Sequence, residues 1–366
     1  MGNKHIVRIL HITYQLHSGD GITSVIKNWY THIDKNKVQF DCLIWRGIND
    51  NETAKYFQDH GARIFILPSP KNPFKFLKEA YSFFKAARYN IIHSHITHLN
   101  LIFYLLAKMF GVKHIIQHAH GTKWSDRKLN GWRNYLMLHA VWPLITHKLA
   151  CSQLAGEFWY KKNFTVINNG IDVEKFSFNP NIRQEKRKKL GLENNFVVAT
   201  IGRFNLQKNH KFLIEIFTTL AKKDKTAKLV LVGSGPLEKD IKALSISKKI
   251  QDKVIFLGNR KDVSDLLQAF DVLCMPSFYE GLPVAGVEAQ GTGLPCVFAD
   301  TITKELMILP NSKMLSLNDN AEKWADTLLT LKNAKRYNGK QFLKEKGFDI
   351  KDIAKQVEDF YKRINN

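Results

Sequence analysis

The chain has 366 residues, of which 44% are hydrophobic and 11% aromatic, and this excludes a mainly disordered protein. At roughly 100–200 residues per domain, the length predicts two domains. The four cysteines lie far apart without a Cys-x-x-Cys pair, which excludes a disulfide scaffold and a cysteine zinc finger and fits a reducing cytosol. No secretory signal or membrane-spanning stretch is recognised, so we expect a cytoplasmic protein, soluble or peripheral to a membrane.

Positive charge is concentrated in the first half of the chain. The formal net charge is +22, and residues 1–170 hold 22 basic and 9 acidic residues together with 13 of the 14 histidines. Residues 71–148 hold 12 basic residues against two acidic ones. Such a field attracts nucleic acid, an anionic membrane or phosphorylated substrates, unless it is only a lysine-rich solubility surface. Because no nucleic-acid-binding module is recognised, we do not expect nucleic acid as a partner.

Short apolar runs alternate with helical patterns over the first half of the chain. The predicted strands are Val7–Thr13, Val38–Trp45, Arg63–Leu67, Ile91–His95 and His114–His118. The predicted helices begin after Gly21 and cover Asn51–His60, Pro73–Arg88 and Leu101–Phe110. This alternation of buried-type strands with helices indicates a parallel, doubly wound α/β sheet.

The second half repeats this rhythm after a turn-rich segment at 168–180. The predicted strands are Phe196–Ile201, Lys228–Val232, Val254–Leu257, Val272–Met275 and Cys296–Ala299. The predicted helices are His210–Lys222, Leu237–Ser245, Ser264–Phe270, Pro283–Thr292 and Phe348–Ile364. We therefore predict domains at 1–168 and 169–349 and a terminal helical segment at 350–366. Two Rossmann-like domains of this kind face a central cleft, where ligands bind at the carboxyl ends of the strands.

The strongest motif, PSFYEGLPVAGVEA, follows the predicted strand that ends at Met275. Pro283 suits the first turn of a helix, so Glu280 lies in the preceding loop and Glu288 lies inside the helix. Backbone N–H groups near 281–284 can face a phosphate or a sugar hydroxyl. Two carboxylates at this spacing can accept hydrogen bonds from several hydroxyl groups. The alternative is that one glutamate is a helix-end charge and the other a solvated side chain.

Two cations follow the predicted strand that ends at Ile201. Arg203 and Lys208 can together hold a diphosphate and neutralise its charge as it leaves. The alternative is a pair of ordinary surface cations in a lysine-rich protein.

These motifs resemble the retaining glycosyltransferases of family four, which have the GT-B fold. The glutamate pair matches the family's Glu-x7-Glu signature, and other motifs match in chain order over about 300 residues. They are NGID at 169–172, GRF at 202–204 with Lys208, LVGSGP at 231–236, FLG at 256–258 and GTGLP at 291–295. The segment 300–305 resembles the members that build capsular and exopolysaccharides.

The resemblance implies a role for each matched residue. Glu288 would hold the ribose of a nucleotide-diphosphate sugar, UDP being the family's usual nucleotide, and Glu280 would hold sugar hydroxyls. Arg203 and Lys208 would hold the diphosphate. The backbone of Gly281, Leu282 and Pro283 would complete the donor-binding, C-terminal domain.

The implied reaction is a metal-independent transfer with retention of anomeric configuration. A hexose or N-acetylhexosamine would pass to a saccharide or a polyprenyl-diphosphate-linked saccharide held by the N-terminal domain. The chain has no Asp-x-Asp sequence that could hold a divalent cation on a diphosphate. We therefore expect neither a cofactor nor a metal. The family's last helix crosses back to the N-terminal domain, and we expect the same here.

Two N-terminal segments also resemble the family. Gly21 matches the second glycine of its GGxE loop, although Asp20 replaces the first glycine and Thr23 replaces the glutamate. His120 of HAHG matches the family's active-site histidine, which hydrogen-bonds the donor sugar. The spacing of His118 and His120, and of the trio His93, His95 and His98, would permit metal binding, but no cysteine and few carboxylates lie nearby. For the trio we therefore expect buried or rim hydrogen bonds.

The predicted helix from Pro73 interleaves aromatic residues with lysines. Phe76, Tyr81, Phe83 and Phe84 alternate there with Lys75, Lys78 and Lys85, a composition that suits an anionic membrane surface. The alternative is a core-packed helix with a solvated basic side. A membrane contact would place the protein on the inner face of the plasma membrane, near a lipid-linked acceptor.

Three other functions remain open from the sequence. A nicotinamide dehydrogenase would use the loop at Gly19 and Gly21, but the third glycine is missing and Trp45-Arg46 stands where an acidic residue is needed. A UDP-sugar 2-epimerase shares the fold but fits the motifs less well. A non-catalytic, glycosyltransferase-like subunit that binds saccharide or membrane is the main alternative.

Overall fold

The computed structural model describes residues 6–17, 20–48, 51–125 and 128–365, with only the backbone of Asn51 and Lys128. The chain divides into two compact units. The N-terminal unit comprises Met1–Asn169 and Ile350–Asn366, and the C-terminal unit comprises Gly170–Asp349. Within the described ranges, no helix combines the length and the apolarity needed to cross a bilayer.

The N-terminal unit contains a seven-stranded parallel sheet in the order β3-β2-β1-β4-β5-β6-β7. Its strands are β1 (Val7–Ile12), β2 (Val38–Ile44), β3 (Ile64–Ile66), β4 (Ile91–Ser94), β5 (His114–Ala119), β6 (His147–Ala150) and β7 (Thr165–Val166). Its helices are α1 (Gly21–His32), α2 (Asn51–Asp59), α3 (Pro73–Ala86), α4 (Asn100–Met109), α5 (Lys128–Val141) and α6 (Gln153–Tyr160). The order reverses between β1 and β4, and this switch point is where such sheets bind ligands.

The C-terminal unit contains a six-stranded parallel sheet in the order β10-β9-β8-β11-β12-β13. Its strands are β8 (Phe196–Ile201), β9 (Ala227–Val232), β10 (Val254–Gly258), β11 (Val272–Met275), β12 (Cys296–Ala299) and β13 (Lys313–Leu315). Its helices are α7 (Pro180–Leu190), α8 (His210–Lys223), α9 (Glu238–Ser247), α10 (Val263–Ala269), α11 (Val284–Gly291), α12 (Ala321–Thr330) and α13 (Gly339–Glu345). Here the switch point lies between β8 and β11.

The last helix, α14 (Ile350–Asn365), belongs to the N-terminal unit and packs on α1. Its buried stripe includes Ile353, Val357 and Tyr361. The Tyr361 hydroxyl lies 2.5 Å from His93 Nδ1 of β4, so this helix contributes a hydrogen bond to a buried histidine of the sheet.

The predicted fold class, two Rossmann-like parallel sheets, is confirmed. Every predicted strand and helix is present, with bounds that differ by at most a few residues. The sequence pattern did not predict β6, β7, β13, α5, α6, α7, α12 or α13. Both β7 and β13 have three residues or fewer, too short for a periodic apolar signal. The structural division after Asn169 lies one residue from the predicted boundary at 168.

Candidate functional site

Three motif-bearing loops meet at the carboxyl ends of β8, β9 and β10. The Gly202 N–H donates to the Val232 carbonyl at 2.9 Å, and the Gly233 N–H donates to the Gly258 carbonyl at 2.8 Å. The Phe204 N–H donates to the Ser234 carbonyl at 3.0 Å. Sequence motifs separated by up to 56 residues thus form one hydrogen-bonded floor, which holds the loop from Gly202 in place.

Glycine is required in this floor because the two backbones nearly touch. A Cβ on Gly233 would lie 2.1 Å from the Gly202 oxygen, and a Cβ on Gly235 would lie 2.5 Å from the Phe204 oxygen. Gly233 also has a φ of +129°, which residues with a side chain rarely adopt. The LVGSGP motif therefore serves close backbone packing beside the site.

Lys208 and Glu280, which come from two different predicted motifs, form an ion pair. Lys208 Nζ lies 2.7 Å from Glu280 Oε1, with both side chains mostly buried. The Lys208 chain runs over Gly202, where a Cβ would come within 2.7 Å of Lys208 Cε. The absence of a side chain at Gly202 thus allows the ammonium to reach Glu280.

Gln207 is a further residue of the candidate site, and no sequence motif marked it. Its side-chain amide donates to Glu280 Oε2 at 3.0 Å and to the Tyr279 carbonyl at 3.1 Å. The Gln207 carbonyl in turn accepts from the Phe278 N–H at 2.8 Å. Gln207 therefore holds the Glu280 carboxylate and its loop, and its position beside Lys208 was the available signal.

The buried pair Phe204 and His210 supports the Lys208 loop. The two rings stack with centroids 4.3 Å apart. Burial, reinforced by the nearby Lys208 charge, lowers the pKa of His210 to about 4. His210 is therefore neutral at physiological pH and adds no charge beside the Lys208 ammonium.

Arg203 differs from Lys208 in being exposed. Its guanidinium makes no ion pair with any acidic side chain of the described residues. An unpaired guanidinium on this loop remains available to a diphosphate.

Glu288 lies in α11, which begins after Pro283 without a capping side chain. Burial raises the pKa of Glu288 to about 7, and the charge of Lys175 opposes the rise only in part. Gly281, Leu282 and Pro283 are buried in the preceding turn. The structure thus places the second glutamate where its charge is costly unless a ligand hydrogen-bonds it.

The NGID motif has a structural role at the edge of the C-terminal unit. Asp172 Oδ1 accepts from the backbone N–H groups of Glu174 at 3.0 Å and Lys175 at 3.2 Å. Ile171 pairs with Asp349 in a β-bridge. These contacts fix a turn and do not place Asp172 among the site residues.

In the N-terminal unit, the departures from the GGxE pattern form a helix cap. Asp20 accepts hydrogen bonds from the Thr23 N–H at 3.0 Å and the Thr23 hydroxyl at 2.9 Å. Gly21 begins α1 and is exposed, and a hypothetical Cβ on it would have no atom of the described residues within 4 Å. The fold does not require glycine there, so its approach to a ligand remains a prediction. Gly19 lies outside the described residues.

His120 follows β5 and joins four other histidines beside β1 and β4, which we call the histidine cluster. Its other members are His11, His93, His95 and His118, all buried. The trio His93, His95 and His98 makes the buried and rim hydrogen bonds that the sequence analysis expected. Sequence spacing showed a pair and a separate trio of histidines, and it indicated neither His11 nor Tyr361 as a partner.

Two sets of three cluster histidines bring ring nitrogens within 4.8 Å of one another, which meets a distance requirement for a metal. They are His11, His93 and His95, and His95, His118 and His120. However, the His93 and His95 rings stack 4.3 Å apart at 17°, and the His118 and His120 rings stack 4.2 Å apart at 11°. Lone pairs in such nearly parallel planes do not converge on one ion. The cluster as it stands is a hydrogen-bonded array, and the expected absence of a metal stays a prediction.

Comparison with known proteins gives the same assignment for both units. Residues 19–175 match the model of Glycosyltransferase Family 4, and residues 182–347 match that of Glycosyl transferases group 1. The chain is 32% identical over 361 residues to the putative glycosyltransferase EpsF of Bacillus subtilis, covering 94% of this chain and 92% of that protein.

Two further proteins extend the comparison. An Escherichia coli UDP-Gal:alpha-D-GlcNAc-diphosphoundecaprenol alpha-1,3-galactosyltransferase is 29% identical over 262 residues, 67% of this chain and 68% of that one. The crystal structure of Anabaena HepE in complex with UDP and glucose has the same fold, with a TM-score of 0.80 at 17% identity over 98% of this chain and 100% of that chain. With both sheets, the loop motifs and these matches in agreement, the chain belongs to the GT-B glycosyltransferases.

Proposed function

We propose that this protein transfers a hexose or N-acetylhexosamine from a UDP-sugar to a saccharide acceptor, with retention of configuration and without a metal ion. The observation that carries the proposal is the Lys208–Glu280 pair, 2.7 Å apart, on a glycine floor beside the exposed Arg203. It combines cations for a diphosphate with a carboxylate for sugar hydroxyls.

The C-terminal unit supplies the donor site in this proposal. Arg203 and Lys208 bind the diphosphate and stabilise its charge as the bond to the sugar breaks. Glu288 accepts hydrogen bonds from the ribose hydroxyls, and Glu280 accepts them from the sugar. In this proposal, backbone N–H groups at the start of α11, which has no capping side chain, also face the donor.

The N-terminal unit supplies Gly21 and His120, which the proposal assigns to the donor phosphates and the donor sugar. The acceptor hydroxyl attacks the anomeric carbon from the face that the diphosphate leaves. Its oxygen forms the new glycosidic bond, the bond from the anomeric carbon to the phosphate oxygen breaks, and that phosphate oxygen takes the hydroxyl proton. No protein nucleophile enters the sequence.

The acceptor class is supported by the relatives. The E. coli relative is named for transfer to a GlcNAc-diphosphoundecaprenol, and a 25% identical relative is a capsular polysaccharide biosynthesis glycosyltransferase, CapH of Staphylococcus aureus. We extend the same class to this protein: a polyprenyl-diphosphate-linked saccharide used in surface polysaccharide synthesis. The site of action would then be the inner face of the plasma membrane.

The membrane-facing surface that we propose differs from the one predicted from the sequence. Phe76 and Phe84 of α3 are buried in the core, so the idea that they interleave with lysines on a surface is wrong. Phe74, at 87% exposure, and Tyr81 do face solvent, beside the exposed Lys75 and Lys78.

Further exposed apolar side chains lie on α5, which packs on α4, while α4 packs on α3. On α5, Leu129 is 85% exposed, Trp132 68% and Leu136 61%, and their i, i+3 and i+7 spacing places them on one face. With the basic residues of 71–148, these side chains suit the headgroup region of an anionic bilayer.

The transfer is tested with purified protein, UDP-sugars and a short-chain polyprenyl-diphosphate saccharide. We expect UDP release, undiminished by EDTA, and a product whose anomeric configuration by NMR equals that of the donor. Inverted product, or activity that EDTA abolishes and a divalent ion restores, would contradict the mechanism. Donor binding without transfer to any acceptor would favour the non-catalytic subunit.

The membrane surface is tested by co-sedimentation with vesicles. We expect binding to phosphatidylglycerol-containing vesicles and little binding to phosphatidylcholine alone. Replacing Leu129, Trp132 and Leu136 by serine should abolish binding. The matched control is Ile246→Ser, which removes a 62% exposed side chain from α9 of the other unit. Equal loss in the control, or no dependence on lipid charge, would refute this surface.

A further inference from the structure

The histidine cluster forms at the sheet switch point of the N-terminal unit. His11 on β1 pairs in register with His93 on β4, and His93 lies beside His118 on β5. His95 and His120 extend the same faces just past the strand ends. Trp29 of α1 lies against the cluster, with ring centroids 5.6–6.2 Å from three of its members.

Two separate hydrogen-bonded chains run through the cluster. In the first, His11 Nδ1 lies 2.9 Å from His95 Nε2, and His95 Nδ1 lies 2.8 Å from His120 Nε2. In the second, the Tyr361 hydroxyl bonds His93 Nδ1, and His93 Nε2 lies 3.1 Å from His118 Nδ1. Only the first chain reaches His120.

Every imidazole of the first chain is neutral at physiological pH. Burial lowers the pKa of His11 and of His120 to about 3 and the pKa of His95 well below its usual range. A neutral imidazole carries one N–H and one lone pair. In a chain of three, all N–H groups must therefore point in the same direction, either toward His120 or toward His11.

The buried end of the chain distinguishes the two directions. His11 Nε2 is buried, and none of the described residues lies within hydrogen-bond reach of it. If the chain pointed toward His11, this nitrogen would carry an N–H without an acceptor, and orphaned buried N–H groups are rare. If the chain points toward His120, only a lone pair is left unpaired there.

We infer that His11 and His95 fix His120 in the tautomer with its proton on Nδ1, so that His120 offers a hydrogen-bond donor to its ligand. The inference rests on the proposed function in one respect, namely that this ligand is the sugar of the UDP-sugar. The oxygens of that sugar can accept a hydrogen bond from the His120 N–H. His11 and His95 are positioning residues, because they act through His120. A protonated Nδ1 also has no free lone pair, so it cannot act as a general base. This agrees with the proposed transfer of the hydroxyl proton to the departing phosphate.

The tautomer is read directly by long-range ¹H–¹⁵N NMR of the full chain, unliganded, with ¹⁵N-labelled histidine. We expect His120 Nδ1 to show the shift of a protonated nitrogen and Nε2 that of an unprotonated one. The reverse pattern in the wild type would overturn the inference. This readout does not depend on any transfer activity.

Two substitutions at His95 test whether the hydrogen-bonded chain of His11, His95 and His120 sets the tautomer of His120. His95→Asn retains an amide N–H near the Nδ1 position and should preserve the His120 tautomer, whereas His95→Leu removes the donor and should shift His120 toward the Nε2-protonated form. Tyr361→Phe removes a hydrogen bond from the second chain only, so it should leave His120 unchanged. An equal change in Tyr361→Phe and His95→Leu would show that the cluster responds as a whole, and would contradict the role of His95.

Kinetics separate this inference from the proposed function. His95→Leu should lower kcat by about tenfold, the size of one lost hydrogen bond, and His95→Asn should restore most of it. If the tautomers behave as stated while kcat is unchanged in both variants, the chain is correct and the contact of His120 with the sugar is wrong. If His95→Leu does not fold, the wild-type spectrum and His95→Asn still decide the tautomer.

Discussion

The two units place opposite chemistry at the same topological position. At the strand ends of the N-terminal unit, five imidazoles hydrogen-bond one another and stay neutral because burial lowers the pKa of each. At the strand ends of the C-terminal unit, a mostly buried ammonium and carboxylate form an ion pair beside an exposed guanidinium. A shared sheet architecture therefore fixes where a site can form, and the side chains at the strand ends decide whether it handles charge or directs neutral hydrogen bonds.

The largest expected effect comes from acid. Below pH 6.5 the unfolded chain protonates its histidines while the buried cluster does not, so the free energy of unfolding of the N-terminal unit falls as the pH falls. Each such imidazole adds a slope approaching about 1.4 kcal/mol per pH unit. Glu288 contributes in the opposite direction: its pKa is about 7 in the folded protein, so acidification from pH 7 toward 4.5 adds to the stability of the C-terminal unit and offsets the loss from the single buried His210, whose pKa is about 4.

Hydrogen exchange with mass spectrometry at pH 7.5, 6.5 and 5.5, corrected for intrinsic exchange rates, measures both units in one sample. We expect peptides of β1, β4 and β5 to lose protection first. If β8 and β11 lose protection at the same pH or earlier, the comparison between the units is wrong.

Loss of the Lys208 ammonium should have the next largest effect. Lys208→Ala should lower kcat/KM roughly 30- to 1000-fold, which corresponds to a loss of about 2–4 kcal/mol of transition-state stabilisation. The reason is that the negative charge developing on the diphosphate loses the ammonium that stabilises it. Steady-state kinetics of the variant, with its melting temperature, provide the measurement. Lys211→Ala, which removes an exposed lysine of α8, is the control. Near-normal kcat/KM in Lys208→Ala would remove Lys208 from the mechanism.

Glu288 gives a smaller, pH-dependent effect that contrasts with the neutral cluster. With a pKa of about 7, its ionised fraction rises roughly tenfold between pH 6 and pH 8, and the ionised form is the better acceptor for ribose hydroxyls. The KM for the donor should therefore fall by up to about tenfold over that interval. Glu288→Gln should flatten the profile. An unchanged slope in that variant would mean that another group titrates.

The smallest effect is expected at Gly21, where the fold does not require glycine. Gly21→Ala should change the free energy of unfolding by no more than about 0.5 kcal/mol, because a Cβ there would meet no atom within 4 Å in the described part of the chain. If the loop backbone approaches the donor phosphate, the KM for the donor should rise a few-fold with an unchanged melting temperature. An unchanged KM would remove Gly21 from the donor site.

The residues of the C-terminal candidate site could be proposed from the sequence because each lies in a short motif, whereas the contact between Lys208 and Glu280 could not. Lys208 follows Gly202 by six residues in one motif, and Glu280 and Glu288 lie on either side of one helix start in another. Gln207 was missed because an amide on a loop has no pattern of its own. Its role depends on a contact with Glu280, 73 residues away.

The histidine cluster was only half predictable because it is assembled from three strands. The spacing of His93 and His95 shows that these two side chains share one face of the strand. That His11 joins them follows only from the strand order, which places β1 beside β4. His93 also needs Tyr361 from the last helix, 268 residues away. Such contacts follow from the topology of the whole sheet and leave no short-range signal.

Helices α3 and α5 show two ways in which the pattern of apolar residues misleads about which side chains are exposed. On α3, the spacing of Phe76, Ala80 and Phe84 marks the buried stripe, and the aromatic content alone led to a wrong surface. On α5, Leu138 and Val141 face the core while Leu129 and Trp132 face solvent, so apolar residues occur all round the helix. An apolar outer face removes the contrast by which an amphipathic helix is found.

The most direct test of the central claim is UDP binding measured by titration calorimetry in EDTA. We predict that the wild-type protein binds UDP in EDTA with the same affinity as in magnesium, and that Lys208→Ala weakens binding at least tenfold while Lys211→Ala does not. Binding that requires the divalent ion, or equal affinity in wild type and Lys208→Ala, would contradict a metal-independent diphosphate site at the strand ends of the C-terminal unit.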